Sequence, residues 1–206
     1  SSKYPIIMDA ATIIGGKAIQ NRASFGGNIC NASPSGDAIG AMMAIGACCE
    51  VIGLNGIRNI PIEEFFVGPG QNVLMPDEFL MSLKVPPPKT NSGSGYLRFT
   101  PRAEMDIAVA GVGSYIEIDN HTDCISIARI ALIAVAPTPI LSTSASEIII
   151  GNKPSAEIFD EASKLAKESI SPISDVRGTA DQRKHLIGVL TKRCLNISIN
   201  RIAQNM

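Results

Sequence analysis

The sequence predicts an α+β fold in two parts joined by a linker. Residues 86–95 read Pro-Pro-Pro-Lys-Thr-Asn-Ser-Gly-Ser-Gly, in which prolines stiffen the start and Gly/Ser loosens the end. Before this stretch, an apolar helix and a hairpin signal predict mixed structure. After it, long apolar strands come first and helices follow, which is an order typical of α+β domains.

The first part begins with helices. Apolar residues near helical spacing predict a short helix over 5–14, which Gly15 and Gly16 end. Ser33-Pro34 predicts the start of a second helix, because proline suits the first helical position. That helix is apolar almost all round, so we expect it to be buried.

Strands complete the first part. Asn55-Gly56 is a strong signal for a two-residue hairpin between the apolar runs 48–54 and 57–60. The following residues predict a helical turn over 61–66, a loop at 68–70 and a strand over 78–85.

The second part is predicted as a sheet followed by two helices. A strand begins at Tyr96, and the runs 107–118 and 124–136 form a long antiparallel hairpin around a polar turn. Ser155 is the expected N-cap of the first helix. Thr179-Ala-Asp-Gln182 has the form of a capping box for the last one.

Composition excludes several classes of function. The 206 residues carry a net charge of −1 with no block of like charge, and aromatic residues are only 4% with no Trp. These values argue against a nucleic-acid partner. No apolar run reaches the length of a membrane span, so no membrane insertion is expected. The five cysteines include no Cys-x-x-Cys pair, which predicts free thiols in a cytoplasmic protein.

The stretch from Arg22 to Asp37 is the strongest candidate for a binding site. Gly26 and Gly27 allow close backbone approach, and their N–H groups can form a concavity for an anion such as a pyrophosphate. Ser24 and Asn28 add side-chain donors, and Asp37 can accept hydrogen bonds from ribose hydroxyls. The alternative is two ordinary turns with a helix cap between them.

No acid–base or nucleophile constellation is visible. His121 lies in a predicted turn and His185 on the last helix, and both are expected to be solvated. Asp106 beside Arg102 is expected to form a structural ion pair rather than a catalytic group. An anion-binding turn without acid–base residues suits electron transfer through a bound cofactor, which supplies the difficult chemistry.

Four segments resemble, in the right order, the FAD-binding medium subunit of the molybdenum hydroxylases, the family of xanthine dehydrogenase and carbon monoxide dehydrogenase. The resemblance covers essentially the whole chain. The segments are Asn21–Asp37, with Asn-Arg-Ala-Ser-Phe-Gly-Gly-Asn and Asn-Ala-Ser-Pro-Ser-Gly-Asp; Phe99-Thr-Pro-Arg102 with Met105-Asp-Ile-Ala-Val109; Val135-Ala-Pro-Thr-Pro139; and Ser174-Asp-Val-Arg-Gly178.

The resemblance implies FAD as the cofactor and assigns nine residues to it. The pyrophosphate would lie on residues 24–28 and the ribose hydroxyls on Asp37. Core packing is the alternative for Ile14 and Leu80, and a surface charge is the alternative for Arg98. The implied cofactor-binding residues are Ser24, Phe25, Gly26, Gly27, Asn28, Asp37, Ile14, Leu80 and Arg98.

The resemblance also implies a place in a larger complex. Residues 1–88 would be the second subdomain of a two-subdomain FAD-binding domain, and residues 95–206 the C-terminal domain. The family's first flavin loop would precede this segment, so we do not expect tight FAD binding by the chain alone. Partners would be a molybdopterin-binding large subunit and an iron–sulfur small subunit, which pass electrons to FAD and on to an external acceptor. The alternative is a non-catalytic module that docks partner subunits.

Overall fold

The computed structural model describes residues 3–102 and 105–205 and confirms the α+β class. Among these residues every strand pairing is antiparallel, in sheets of three, two and four strands. The predicted domain spans also include residues 1, 2, 103, 104 and 206, which lie outside the described residues.

The first half contains four helices followed by five short strands, and β1 lies between β2 and β5. The predicted hairpin is confirmed, because β1 and β2 pair from Cys48 with Pro61 to Gly53 with Gly56. The elements are α1 (Pro5–Ala11), α2 (Lys17–Gln20), α3 (Phe25–Cys30), α4 (Asp37–Ala44), β1 (Cys48–Gly53), β2 (Gly56–Pro61), a 3₁₀ turn (Ile62–Glu64), β3 (Phe66–Gly68), β4 (Gln71–Asn72) and β5 (Phe79–Lys84).

Two local predictions in this half are wrong. Residues 24–28 are not a turn, because Ser24 is extended and caps α3, which starts at Phe25. Ser33-Pro34 does not open a helix: the Gly36 N–H donates to the Ser33 carbonyl at 3.0 Å, which closes a turn. Helix α4 therefore starts three residues after Pro34, with Gly36 as its N-cap.

The second half is a four-stranded sheet in the order β6-β7-β8-β9, followed by helices. The predicted long hairpin is confirmed in β7 and β8. The five-residue helix α5 was not predicted, because it is too short to show helical periodicity. The elements are β6 (Ser92–Phe99), β7 (Ala110–Ile118), β8 (Ile125–Ile133), β9 (Ile140–Leu141), α5 (Thr143–Glu147), α6 (Ala156–Glu168) and α7 (Ala180–Asn205).

The end of the predicted linker is a strand. Ser92 to Gly95 pair with Glu117 to Ser114 of β7 and are buried. A Cβ at Gly93 would stand 1.9 Å from the Ser198 carbonyl oxygen, and one at Gly95 would stand 2.8 Å from Ile197. The glycines are therefore required by the close approach of α7 to the sheet, and they do not provide flexibility.

The four-stranded sheet separates two hydrophobic cores. Tyr96, Ala131 and Ile133 belong to the core shared with α1 and α4, whereas Val112 and Ile116 belong to the core shared with α6 and α7. The second half thus forms one wall of the first half's core. This arrangement brings the second half of β6 beside Asp37, which Tyr96 and Arg98 contact.

Side-chain caps fix the last two helices as predicted. Ser155 Oγ accepts from the Ile158 N–H at 3.3 Å, and Thr179 Oγ1 accepts from the Gln182 N–H at 3.1 Å. Within the described residues, none of the helices combines the length and apolar character needed to cross a membrane.

Candidate functional site

The glycine pair forms the first turn of helix α3. Ser24 Oγ accepts from the Gly27 N–H at 3.0 Å, so this N–H is used by the cap. The first residues of a helix have no partner for their N–H groups inside the helix. Phe25 and Gly26 therefore offer the free donors, in place of the Gly26 and Gly27 pair that the sequence predicted.

A cavity of about 230 Å³ lies against this helix end. Among its lining residues are Ile14, Ser24, Phe25 and Asn28, so the fold brings together four of the nine predicted residues. Asn28 Oδ1 is buried and has no hydrogen-bond partner among the described residues. This oxygen lies beside the N-cap of α4, since a Cβ at Gly36 would stand 3.1 Å from it, and a buried polar atom without a partner costs free energy.

Leu80 and the glycines lie at the same place. A Cβ at Gly26 would be 3.8 Å from Leu80 Cδ2, so the β5 side chain packs over α3. A Cβ at Gly27 would stand 3.0 Å from Ser24 Oγ, which would crowd the cap. The structure therefore places Leu80 beside the predicted glycine segment.

Asp37 is the first residue of α4 and is buried. Its Oδ1 accepts from the Tyr96 hydroxyl at 2.7 Å, and its Oδ2 lies 2.5 Å from Nη1 of Arg98. Burial raises the pKa of Asp37 above its usual value, while the Tyr96 hydrogen bond and the Arg98 charge act in the opposite direction. Each carboxylate oxygen can accept two hydrogen bonds, so each oxygen keeps one acceptor position beyond these contacts.

Arg98 is an internal residue, and the surface-charge alternative is wrong. Its side chain is 7% exposed and pairs with Asp37. Its Nη2 also donates to the Ile13 carbonyl at 2.7 Å. Arg98 therefore fastens the segment that carries Ile14 to the start of α4.

Sequence reasoning missed the residues that surround this pair. The Tyr96 N–H donates to Asp9 Oδ2 at 3.1 Å, and Asp9 also receives two hydrogen bonds from Arg201 at 2.6 and 2.8 Å. These residues lie on α1, β6 and α7 and are separated by up to 192 positions. No local pattern could have identified them, because only the tertiary fold brings them together.

Within the described part of the chain, the remaining titratable groups do not form a second candidate site. No group of three or more His, Cys, Asp and Glu side chains there could hold a metal ion. His121 and His185 are exposed, as predicted. All five cysteines are free, with Cys49 and Cys194 buried. The expected Arg102–Asp106 ion pair is present at 3.4 Å.

Two family models match the chain. Residues 1–88 match the FAD binding domain in molybdopterin dehydrogenase. Residues 95–197 match the CO dehydrogenase flavoprotein C-terminal domain.

Known proteins resemble the chain over most of its length. It is 32% identical to the xanthine dehydrogenase FAD-binding subunit of Escherichia coli O157:H7, over 95% of this chain and 66% of that protein. It is 29% identical to the carbon monoxide dehydrogenase medium chain of Afipia carboxidovorans, over 95% of this chain and 67% of that protein. The chain thus spans about two thirds of the length of these relatives.

The fold is also that of solved structures. A carbon monoxide dehydrogenase from Hydrogenophaga pseudoflava superposes with a TM-score of 0.91 at 29% identity, covering 96% of this chain and 68% of that one. Reconstituted CO dehydrogenase from Oligotropha carboxidovorans gives a TM-score of 0.90 at 27% identity, with the same coverage.

Proposed function

Because the chain belongs to the FAD-binding medium-subunit family of the xanthine and carbon monoxide dehydrogenases, we propose that it binds FAD at residues 24–37. The observation that carries the proposal is the cavity beside the free N–H groups of α3, which Ile14, Ser24, Phe25 and Asn28 line. An apolar cavity with a few convergent polar groups is typical of cofactor sites.

The residues of this chain fit distinct parts of the cofactor. The N–H groups of Phe25 and Gly26, at the positive end of α3, would donate to the pyrophosphate. The Asn28 amide can offer its oxygen to a hydroxyl or, turned over, its N–H to a phosphate oxygen. The free acceptor positions of Asp37 suit ribose hydroxyls.

Ile14, Leu80 and Arg98 complete the proposed site. The two apolar side chains would cover the flavin ring and exclude water from it. Arg98 holds the Ile13 carbonyl and the Asp37 carboxylate, so it fixes the segments that carry Ile14 and the ribose-binding group. Bound FAD supplies the redox chemistry, since it can accept electrons and release them one or two at a time.

The proposed role in the complex is electron transfer. The chain would receive electrons from iron–sulfur clusters on a small subunit, which are reduced by a molybdopterin-binding large subunit, and pass them to an external acceptor. This role makes the chain part of a hetero-oligomer in the cytoplasm. Residues 1–88 would be the flavin-binding part and residues 95–206 the C-terminal domain, with Gly95 inside strand β6.

Two serine caps provide a matched test of the site. Ser24 caps α3 at the proposed site, and Ser155 caps α6 in the second half through the same contact. Loss of either hydroxyl should lower the free energy of unfolding by about 1 kcal/mol. FAD titrations followed by flavin fluorescence should show saturable binding by the unaltered chain and by Ser155→Ala, and weaker binding by Ser24→Ala.

The outcomes separate the proposal from its alternative. Equal FAD affinity in the two serine variants would contradict the assignment of the pyrophosphate to α3. No saturable FAD binding by the unaltered chain would contradict the proposal and favour the non-catalytic docking module.

A further inference from the structure

Tyr96 stands at the centre of the polar network that surrounds Asp37. Its side chain is 3% exposed, and its hydroxyl donates to Asp37 Oδ1 at 2.7 Å. Its backbone N–H donates to Asp9, which Arg201 of α7 grips with two hydrogen bonds. The residue is therefore fixed at both its backbone and its side chain.

Two glycines form a slot for the Tyr96 ring. A Cβ at Gly40 of α4 would stand 2.9 Å from ring atom Cε2. A Cβ at Gly111 of β7 would stand 2.8 Å from the hydroxyl oxygen. Any larger side chain at either position would displace the ring, so both glycines serve to bring the hydroxyl to Asp37.

We infer that Tyr96 is a positioning residue of the flavin site, which orients the Asp37 carboxylate so that its free acceptor positions face the ribose hydroxyls. The inference rests on the proposed function. Arg98 restrains one carboxylate oxygen and Tyr96 the other, so the plane of the carboxylate is fixed by two donors from one strand. Loss of the hydroxyl removes one of these two donors, so that the carboxylate can turn about its contact with Arg98.

The protonation states are consistent with this role. Burial and the neighbouring Asp37 charge raise the pKa of Tyr96, which keeps the hydroxyl protonated as a donor. Arg98 on β6 is the charged group that contacts Asp37, while Asp9 on α1 accepts from the Tyr96 N–H and pairs with Arg201 on α7. Arg129 and Glu63 lie at the opposite end of α4, where Arg129 binds the Met43 carbonyl.

Tyr96→Phe tests the inference, with Tyr115→Phe as the matched control. Tyr115 also donates to a carboxylate, Glu117 at 2.6 Å, but it lines a different cavity, together with Pro86 and Ser92. We expect Tyr96→Phe to raise the FAD dissociation constant about tenfold, as the loss of a hydrogen bond to a charged group does. The FAD dissociation constant of Tyr115→Phe should stay within about twofold of that of the unaltered chain. This change is small compared with the effect of losing a hydrogen bond to a charged group.

The pH profile separates positioning from a general structural effect. The Tyr96 hydrogen bond lowers the pKa of Asp37, so its removal should raise that pKa. The acid limb of FAD binding should therefore move to higher pH in Tyr96→Phe. The inference would be overturned if Tyr96→Phe changed neither the FAD affinity nor the acid limb of FAD binding. It would also be overturned if Tyr115→Phe lost as much FAD affinity as Tyr96→Phe.

A titration without ligand keeps the inference separate from the proposed function. The carboxyl ¹³C resonance of Asp37 reports its ionisation directly, in the unaltered chain and in Tyr96→Phe. A higher midpoint in the variant supports the orienting contact, and an identical midpoint overturns it even where FAD binds. If the unaltered chain does not bind FAD, the proposed function fails, and the role of Tyr96 in that function fails with it.

Discussion

Arg98 and Asp37 form a buried ion pair that joins the two halves of the molecule. Nη1 lies 2.5 Å from Oδ2, and the two side chains are 7% and 8% exposed. Removal of one partner of a buried pair leaves the other charge uncompensated, which costs about 3 kcal/mol or more. The pair therefore matters for stability as well as for the proposed site.

Arg98→Met should lower the free energy of unfolding by about 3 kcal/mol in urea denaturation. The double variant Arg98→Met with Asp37→Leu should recover most of this loss, because neither charge remains buried. Arg58→Met, at the more exposed Arg58–Glu78 pair, is the control and should change stability little. If Arg98→Met and the double variant were equally stable, the Asp37 carboxylate would be compensated even without Arg98.

Asn28→Ala should weaken FAD binding without lowering stability. Removing the unpaired Oδ1 relieves the cost of a buried polar atom, which offsets the lost packing. Thr191→Ala is the matched control, since Thr191 Oγ1 is also buried without a partner but lies in α7. In thermal unfolding the two variants should behave alike. In FAD titration only Asn28→Ala should bind more weakly. A large loss of stability in Asn28→Ala alone would indicate a structural role for the amide.

Gly93→Ala should be strongly destabilising. The new Cβ would stand 1.9 Å from the Ser198 carbonyl oxygen, so α7 must move away from β6, and overpacking of this kind costs about 1–3 kcal/mol. For Gly188→Ala, inside α7, the three atoms nearest the new Cβ belong to the flexible Lys167 side chain, so the change should be neutral or stabilising by up to about 1 kcal/mol. Chemical denaturation would measure the free energy of unfolding of both variants. Equal effects of Gly93→Ala and Gly188→Ala on that free energy would mean that β6 tolerates a side chain at position 93.

Acid should remove a contribution to stability from Asp175. Burial by itself would raise the pKa of this carboxyl, but the N–H of Arg177 and the Arg183 guanidinium reverse the shift, and the pKa is lowered. The contribution is therefore present above the unfolded pKa of about 3.9 and is lost as the pH falls through the folded value. In Asp175→Asn, the free energy of unfolding should therefore fall less steeply as the pH is lowered. Asp123→Asn, at an exposed carboxylate near Lys153, is the control for the loss of a surface charge.

The sequence was informative where short-range chemistry decides the structure. The hairpin at Asn55-Gly56 and the caps at Ser155 and Thr179 follow from contacts within a few residues. It was misleading at Ser92–Gly95, where a composition typical of flexible linkers forms a buried strand. The glycines there are required by the Ser198 carbonyl and the Ile197 side chain, which come from a helix about 100 positions later.

In the candidate site too, short-range features could be predicted from the sequence and long-range contacts could not. Five of the nine proposed site residues are the consecutive residues 24–28, and their grouping could be predicted from the glycine pattern. The partners of Asp37 could not, because Tyr96 and Arg98 lie 59 and 61 positions away along the chain. Burial of Arg98 depends on a strand whose start was assigned to the linker.

Amide hydrogen exchange resolved at single residues, with and without FAD, tests the central claim most directly. The account predicts that saturating FAD slows exchange of the Phe25 and Gly26 N–H groups, while the Gln182 N–H at the α7 cap is unchanged. Saturable FAD binding that leaves Phe25 and Gly26 unprotected would contradict the assignment of this segment as the flavin site.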